Sequence, residues 1–220
     1  RTWSESRLLG LSWRDWRDWS IRLALVALLL MYLRPAPPRA IMGPPQTVVT
    51  TQPLLCMHTR LIDEVEEWKI QRSLQMVREL GADTIVEFFP WAYVEQEEGV
   101  YNWTGFDRII RHARNQGLSV IARLGMVPAW ARPEPDPDSL SAVDAGRGQD
   151  TTLNYLEEDR FPDFARYVAA FAGRYAGTVN HLIIWNEPNL TFEWGYRMVN
   201  PADYVELLRQ SYQAAKAANP

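Results

Sequence analysis

Residues 179–189 read Val-Asn-His-Leu-Ile-Ile-Trp-Asn-Glu-Pro-Asn, an apolar run that ends in polar residues and a carboxylate. A short run rich in β-branched residues predicts a strand, here over residues 179–185. Upstream, apolar residues spaced three or four apart predict a helix that ends near Gly177: Phe164, Val168, Phe171 and Tyr175. A helix that leads directly into a buried strand is typical of parallel α/β sheets.

The same alternation extends back to residue 54. Predicted strands begin near residues 54, 83, 119 and 180, with amphipathic helices between them and a last helix capped by Asn200. Such alternation predicts parallel βαβ units with right-handed crossovers. No glycine-rich phosphate loop follows the first strand, which argues against a nucleotide-binding fold. We expect an α/β fold that forms the first four units of a (β/α)₈ TIM barrel over residues 54–220, with an insertion at 128–159.

The first 53 residues differ in composition from the rest. An apolar run at residues 23–33 follows three tryptophans at three-residue spacing, and a helix over 13–33 would be long enough to cross a bilayer. The arginines before the run outnumber those shortly after it, which orients the N-terminus towards the cytoplasm. We expect a cytoplasmic tail and a transmembrane or signal-anchor helix at 1–34; a cleaved signal peptide and a buried helix are the alternatives.

Residues 35–53 contain six prolines and predict a semi-rigid linker. The domain at 54–220 would then lie outside the cytoplasm, either anchored to the membrane or secreted. A net charge of −4 argues against nucleic acid as a partner, and ten tryptophans suit a membrane interface or a sugar-binding cleft. One cysteine excludes an intrachain disulfide, and three scattered histidines predict no metal site; we expect no cofactor. The oligomeric state is left open.

The end of the fourth predicted strand carries the residues with the clearest chemistry, since active sites of parallel α/β folds lie at the carboxyl ends of strands. Pro188 disfavours the helical region for Glu187, so we expect an extended backbone there. Beside Trp185 the carboxyl group of Glu187 would lose solvation, which favours the protonated form that a general acid requires. The Asn186 amide offers donors and an acceptor to a sugar hydroxyl. The structural alternative for Glu187 is a carboxylate that stabilises a helix N-terminus.

Residues 185–189, Trp-Asn-Glu-Pro-Asn after an apolar strand, resemble the acid/base motif of clan A glycoside hydrolases, most like family 39, which includes β-xylosidases, or family 5. Residues 91–107 are similar to the segment after the second strand in those families. The resemblance implies the amino-terminal half of a TIM barrel that hydrolyses O-glycosyl bonds in carbohydrate with retention of configuration. It further implies that Glu187 is the general acid/base and that Asn186 contacts the 2-hydroxyl of the sugar.

The nucleophile of these families is a glutamate at the end of the seventh strand, which lies outside residues 54–220. The fragment alone is therefore expected to be inactive, because a retaining mechanism needs two carboxylates about 5–5.5 Å apart. The alternative function is a non-catalytic carbohydrate-binding or scaffold protein on the same fold.

Six further residues are candidate contacts to carbohydrate. Glu87 and Arg123 are charged residues inside apolar strands, and we expect them to pair in the barrel interior, below the sugar. His58 ends the first strand and would face the pocket. Tryptophans that follow strands would stack on sugar rings: Trp91, Trp130 and Trp194. Purely structural roles in the core or in hydrogen bonds are the alternatives for all six.

Overall fold

The computed structural model describes residues 13–34, 39–133 and 153–220. The chain divides into two compact units, residues 1–39 and 40–220. The predicted tail up to residue 12, the prolines at 35–38 and most of the predicted insertion, at 134–152, lie outside the described residues.

The first unit contains one described helix, α1 (Trp13–Tyr32), whose side chains are all exposed. Arginine and aspartate occupy five of its first ten positions, so only its second half is apolar. Within the described ranges, no helix is both long and apolar enough to cross a membrane. The predicted transmembrane helix is therefore not supported, because its estimated length included this charged half.

The second unit is built on four parallel strands in the order β1-β2-β3-β4. They are β1 (Cys56–His58), β2 (Thr84–Pro90), β3 (Ser119–Gly125) and β4 (Val179–Ile184). The predicted alternation of parallel strands and helices is confirmed. Closure of these strands into a complete barrel stays a prediction.

Helices connect and follow the strands. They are α2 (Glu67–Glu79), α3 (Trp91–Val94), α4 (Thr104–Asn115), α5 (Phe161–Arg174) and α6 (Pro201–Ala218), with short 3₁₀ turns at Ala129–Ala131 and Glu158–Arg160. The side chain of Asn200 accepts a hydrogen bond from the amide of Ala202 and so caps α6, as its sequence predicts.

The two faces of the sheet differ in what covers them. On one face Phe89 packs between the helices, with ring centroids 4.9 Å from Phe106 of α4 and 5.2 Å from Phe171 of α5. Alternation along the strand places Phe88 on the opposite face, where its register partner is Arg123. We call this second surface the open face, because the described residues leave Ile183 40% exposed there. In a closed barrel this surface is the interior.

Residues 40–53, predicted as part of the linker, belong to the second unit. The Gln71 side chain of α2 donates to the carbonyl of Ile41 at 2.7 Å, and the amide of Gln46 donates to the carbonyl of Asn115 at 2.7 Å. At Gly117, where φ is +75°, a Cβ atom would lie 2.6 Å from the Gln46 carbonyl oxygen. The close approach therefore requires glycine, and this segment packs on the domain.

Candidate active site

The chain turns sharply where β4 ends. The amide of Trp185 still donates to the carbonyl of Leu124 at 2.8 Å, which extends the parallel pairing by one residue. Trp185 then has a φ of +70° and Glu187 a φ of +39°, both in the left-handed region. Such conformations cost about 1–3 kcal/mol each and cluster at functional sites.

The extended backbone expected at Glu187 is therefore wrong. Pro188 disfavours only the right-handed helical region for the residue before it, and a left-handed conformation also satisfies that restriction. The conformation follows from a turn in which the carbonyl of Glu187 accepts from the amide of Leu190 at 2.9 Å.

The Glu187 side chain is exposed and makes no hydrogen bond or ion pair with any residue in the described part of the chain. The apolar wall expected from Trp185 is absent, because that indole is turned into the core. Its Nε1 donates to the carbonyl of Glu193 at 2.7 Å, and its ring lies 5.5 Å from that of Trp194. No cation of the described residues fixes the carboxylate, and these residues leave it exposed.

Asn186 lies directly beside it and is held from two sides. Its Oδ1 accepts from Nη1 of Arg123 at 2.6 Å, and its Nδ2 donates to Oε1 of Glu193 at 2.7 Å. The Arg123 guanidinium lies 4.8 Å above the centre of the Phe88 ring. Its Nε is buried and has no hydrogen-bond partner among the described residues. The adjacent strands therefore bring Arg123, inside β3, and Asn186, just after β4, together at the carboxyl edge of the sheet.

The predicted pair of Glu87 and Arg123 does not form. Glu87 is fully buried on the helix-facing side of β2, where Ala122 is its register partner, and Arg123 lies on the open face. The Glu87 carboxylate accepts from the Thr59 hydroxyl at 2.6 Å and from the Leu61 amide at 2.9 Å. Burial raises the pKa of this carboxyl group, and the hydrogen bonds partly oppose that rise. Glu87 anchors the loop after β1 and has no exposed surface.

Two of the three candidate tryptophans are core residues and not sugar platforms. Trp91 is fully buried in α3, where its Nε1 donates to Glu95 at 2.5 Å and its ring stacks on Tyr167 at 5.9 Å. Trp194 is also fully buried and packs edge-on against Trp185 and Tyr204. The prediction placed both residues in loops on the catalytic side. Their rings instead pack, through Phe164 and Trp185, in one group of buried aromatic side chains, which we call the aromatic layer.

Trp130 and His58 keep accessible surface. Trp130 is half-buried, with its Nε1 donating to the carbonyl of Glu95 at 2.9 Å. His58 is exposed at the end of β1, and its register with Val86 places it on the open face that also carries Arg123. Sugar contacts by these two residues stay predictions.

Sequence reasoning missed Glu193 and Asn154. Glu193 accepts from Asn186 through Oε1 and from the Nδ2 atom of Asn154, at 3.1 Å, through Oε2. Its only signal in the sequence is a carboxylate in the loop after β4, next to Trp194. Within the described ranges, no group of three His, Cys, Asp or Glu side chains could hold a metal ion.

Comparison with known proteins adds a family match over part of this unit. The model of "Glycosyl hydrolases family 35" matches residues 57–128, about a third of the chain, from β1 to just beyond β3. A search of curated protein sequences finds no significant match.

Two solved structures have a similar fold. A family 39 glycoside hydrolase from Bacteroides cellulosilyticus WH2 is 22% identical, with a TM-score of 0.56 over 76% of this chain and 30% of its own. An exo-β-1,4-mannosidase from Opitutaceae bacterium strain TAV5 is 15% identical, with a TM-score of 0.51 over 82% of this chain and 33% of its own. The chain thus spans about a third of the length of these proteins.

The resemblance to clan A glycoside hydrolases is confirmed at that level. The matching family model is that of family 35, so membership of family 39 or family 5 stays a prediction. The chain has an α/β fold of parallel strands similar to that of TIM-barrel glycosidases.

Proposed function

We propose that this chain carries the acid/base half of a glycoside hydrolase that cleaves O-glycosyl bonds in carbohydrate. The observation that carries the proposal is the Glu187 carboxylate, which is exposed and unpaired among the described residues at the carboxyl edge of a parallel sheet. The partial match to a glycosyl hydrolase family supports the same reaction class.

In the proposed reaction, protonated Glu187 donates its proton to the bridging oxygen. The bond from that oxygen to the anomeric carbon breaks while a second carboxylate, supplied from outside residues 1–220, forms a bond to that carbon. The departing sugar leaves as an alcohol. The Glu187 carboxylate then accepts a proton from the water that attacks the anomeric carbon and displaces the second carboxylate. Each proton that Glu187 gives up in the first step is thereby recovered in the second.

Asn186 and Arg123 would bind the sugar beside the reacting bond. The Asn186 amide retains one N–H and one lone pair beyond its two hydrogen bonds, and Arg123 retains donors beyond its bond to Asn186. These groups suit a sugar hydroxyl, which both donates and accepts.

The second carboxylate of a retaining mechanism would come from outside residues 1–220, where the resemblance places it at the end of a seventh strand. It must lie about 5–5.5 Å from Glu187. We propose that residues 1–220 alone do not turn over substrate.

The test is hydrolysis of a panel of alkyl glycosides by the full-length protein and by Glu187→Gln, since an alcohol leaving group requires protonation. We expect the Gln variant to lose about 10²–10⁴-fold in kcat, the usual contribution of a positioned general acid. Glu79→Gln is the matched control, since Glu79 is exposed at the end of α2, which leads into the amino end of β2 at the opposite edge of the sheet, and it should keep wild-type rates. Equal rates for wild type and Glu187→Gln would refute the role of Glu187.

We also propose that the domain acts outside the cytoplasm. The support is the apolar run at residues 23–33, whose side chains are exposed in and just after α1 and whose length suits the apolar region of an export signal. A reporter enzyme fused after residue 53 should be recovered outside the cytoplasm. Export would be contradicted if the reporter were recovered in the cytoplasm and the substitutions Leu25→Asp and Leu29→Asp did not change its location.

A further inference from the structure

The Glu193 side chain has an unusual set of partners for a carboxylate. It is half-buried and forms no ion pair with a residue in the described ranges. Two neutral amides donate to it instead, Asn186 at 2.7 Å through Oε1 and Asn154 at 3.1 Å through Oε2. A carboxylate held by side-chain amides usually serves to orient those amides, because hydrogen bonds to a charged acceptor are strong.

The backbone on either side of Glu193 is fixed by buried residues. The Glu193 carbonyl accepts from Nε1 of Trp185 at 2.7 Å, and the amide of Trp194 donates to Leu190 at 3.0 Å. Trp185 and Trp194 are 2% and 0% exposed. The loop after β4 is thus closed on itself and presents the Glu193 carboxylate to Asn186.

A second contact brings Asn154 to the same carboxylate. Gly195 has a φ of +73°, and a Cβ atom there would lie 2.7 Å from the Cα atom of Tyr155. Only glycine lets the loop after β4 approach this neighbouring segment so closely. Asn154, the residue before Tyr155, then reaches Glu193 and restrains its second oxygen.

Together these contacts fix the Asn186 amide in one orientation. Arg123 donates to its oxygen and Glu193 accepts from its nitrogen. Rotating the amide by 180° would set its NH₂ group against the guanidinium and its oxygen against the carboxylate. A positive donor on one side and a negative acceptor on the other also polarise the amide, as in a cooperative hydrogen-bond chain.

We propose that Glu193 is a positioning residue of the hydrolase: it holds the Asn186 amide in the orientation that binds a substrate hydroxyl beside Glu187. This inference rests on the proposed function. Glu193 itself does not touch the reacting atoms, because its carboxylate oxygens are occupied by Asn186 and Asn154.

The experiment is a double-mutant cycle in the full-length protein, with kcat/KM measured on the aryl glycoside that wild type hydrolyses best. We expect Asn186→Ala and Glu193→Ala each to lose about 10- to 100-fold, since a small misplacement of a binding group can cost about 10²-fold. The double variant should lose little more than Asn186→Ala alone, because Glu193 acts through Asn186.

Glu193→Gln should recover most of the wild-type rate, since the Gln oxygen can still accept from Asn186. We expect Glu193→Ala and Glu193→Gln to keep the same unfolding temperature while only Glu193→Gln recovers activity. A residue needed only for folding of the loop would not show this combination. Glu79→Gln serves again as the control and should match wild type.

The outcomes separate this inference from the proposed function. If wild type hydrolyses no aryl glycoside, the proposed function fails and the inference fails with it. If wild type is active and Glu193→Ala is equally active, or if the losses at Asn186 and Glu193 multiply in the double variant, the inference alone is overturned.

Discussion

Two carboxylates from neighbouring parts of the sheet have opposite environments. Glu87 is fully buried on the helix-facing side of β2 and accepts hydrogen bonds from Thr59 and the backbone of Leu61. Glu187, just beyond β4, is exposed and has no side-chain partner among the described residues. The Glu87 carboxylate therefore stabilises the fold, and the described residues leave the Glu187 carboxylate available for a ligand.

The same division separates the tryptophans from the polar site. Trp91 and Trp194 are fully buried in the aromatic layer, while the side chains of Asn186 and Arg123 bond to each other at the carboxyl edge of the sheet. Residues of the aromatic layer should control stability, and residues at the strand ends should control chemistry.

The largest effect on stability is expected from Trp91→Ala. This side chain is fully buried and packs against Trp130, Phe164 and Tyr167. Its removal should lower the free energy of unfolding by about 3–5 kcal/mol, measured by chemical denaturation of the full-length protein. A loss below about 1 kcal/mol would place Trp91 outside the core.

A smaller, pH-dependent effect is expected from Glu87→Gln. Burial raises the pKa of Glu87 in the folded state, so folding favours its protonated form. Its contribution to stability is fully present below the unfolded-state pKa of about 4.3 and is lost as pH rises through the folded-state pKa.

The free energy of unfolding of wild type, relative to that of Glu87→Gln, should therefore fall as pH rises from 4 towards neutrality. Glutamine keeps an acceptor for the Leu61 amide but does not titrate, so it isolates this one group. A difference between the two proteins that stays constant with pH, or grows as pH rises, would contradict a raised pKa.

The smallest effect on stability is expected from Glu187→Gln. The side chain is exposed and unpaired within the described residues, so the free energy of unfolding should change by no more than about 0.5 kcal/mol. Loss of activity without loss of stability would show that Glu187 serves the reaction, whereas Glu87 serves the fold. A drop of several kcal/mol would instead give Glu187 a structural role.

The strands and their order could be predicted because each strand is a short apolar run between segments with the apolar spacing of a helix. The meeting of Arg123 and Asn186 was not among the predictions, which paired Arg123 with Glu87, although the carboxyl ends of adjacent parallel strands lie together.

The face on which each side chain lies could not be predicted. Buried parallel strands are apolar on both faces, so the sequence lacks the alternation that would assign Glu87 to the helices and Arg123 to the open face. The register of Glu87 with Ala122 and of Arg123 with Phe88 shows that these two side chains lie on opposite faces of the sheet. The left-handed turn at Trp185 was equally hidden, because its hydrogen bonds to Glu193 and Leu124 are tertiary contacts.

The transmembrane prediction is not supported in the described residues for a different reason. The spacing of Trp13, Trp16 and Trp19 is typical of a membrane interface, but arginines and aspartates lie between them. Charge density within a helix is a stronger determinant of membrane crossing than aromatic spacing, because charged residues are costly in hydrocarbon.

The most direct test of the central claim compares two leaving groups in the full-length protein. Wild type and Glu187→Gln are assayed on a glycoside of an acidic phenol and on a glycoside of a simple alcohol. Protonation of the leaving oxygen matters little for the phenol and greatly for the alcohol. We therefore predict a loss of about 10²–10⁴-fold in kcat/KM, which reports the bond-breaking step, on the alkyl glycoside and a much smaller loss in kcat/KM on the phenyl glycoside. Equal losses on both substrates would contradict proton donation by Glu187.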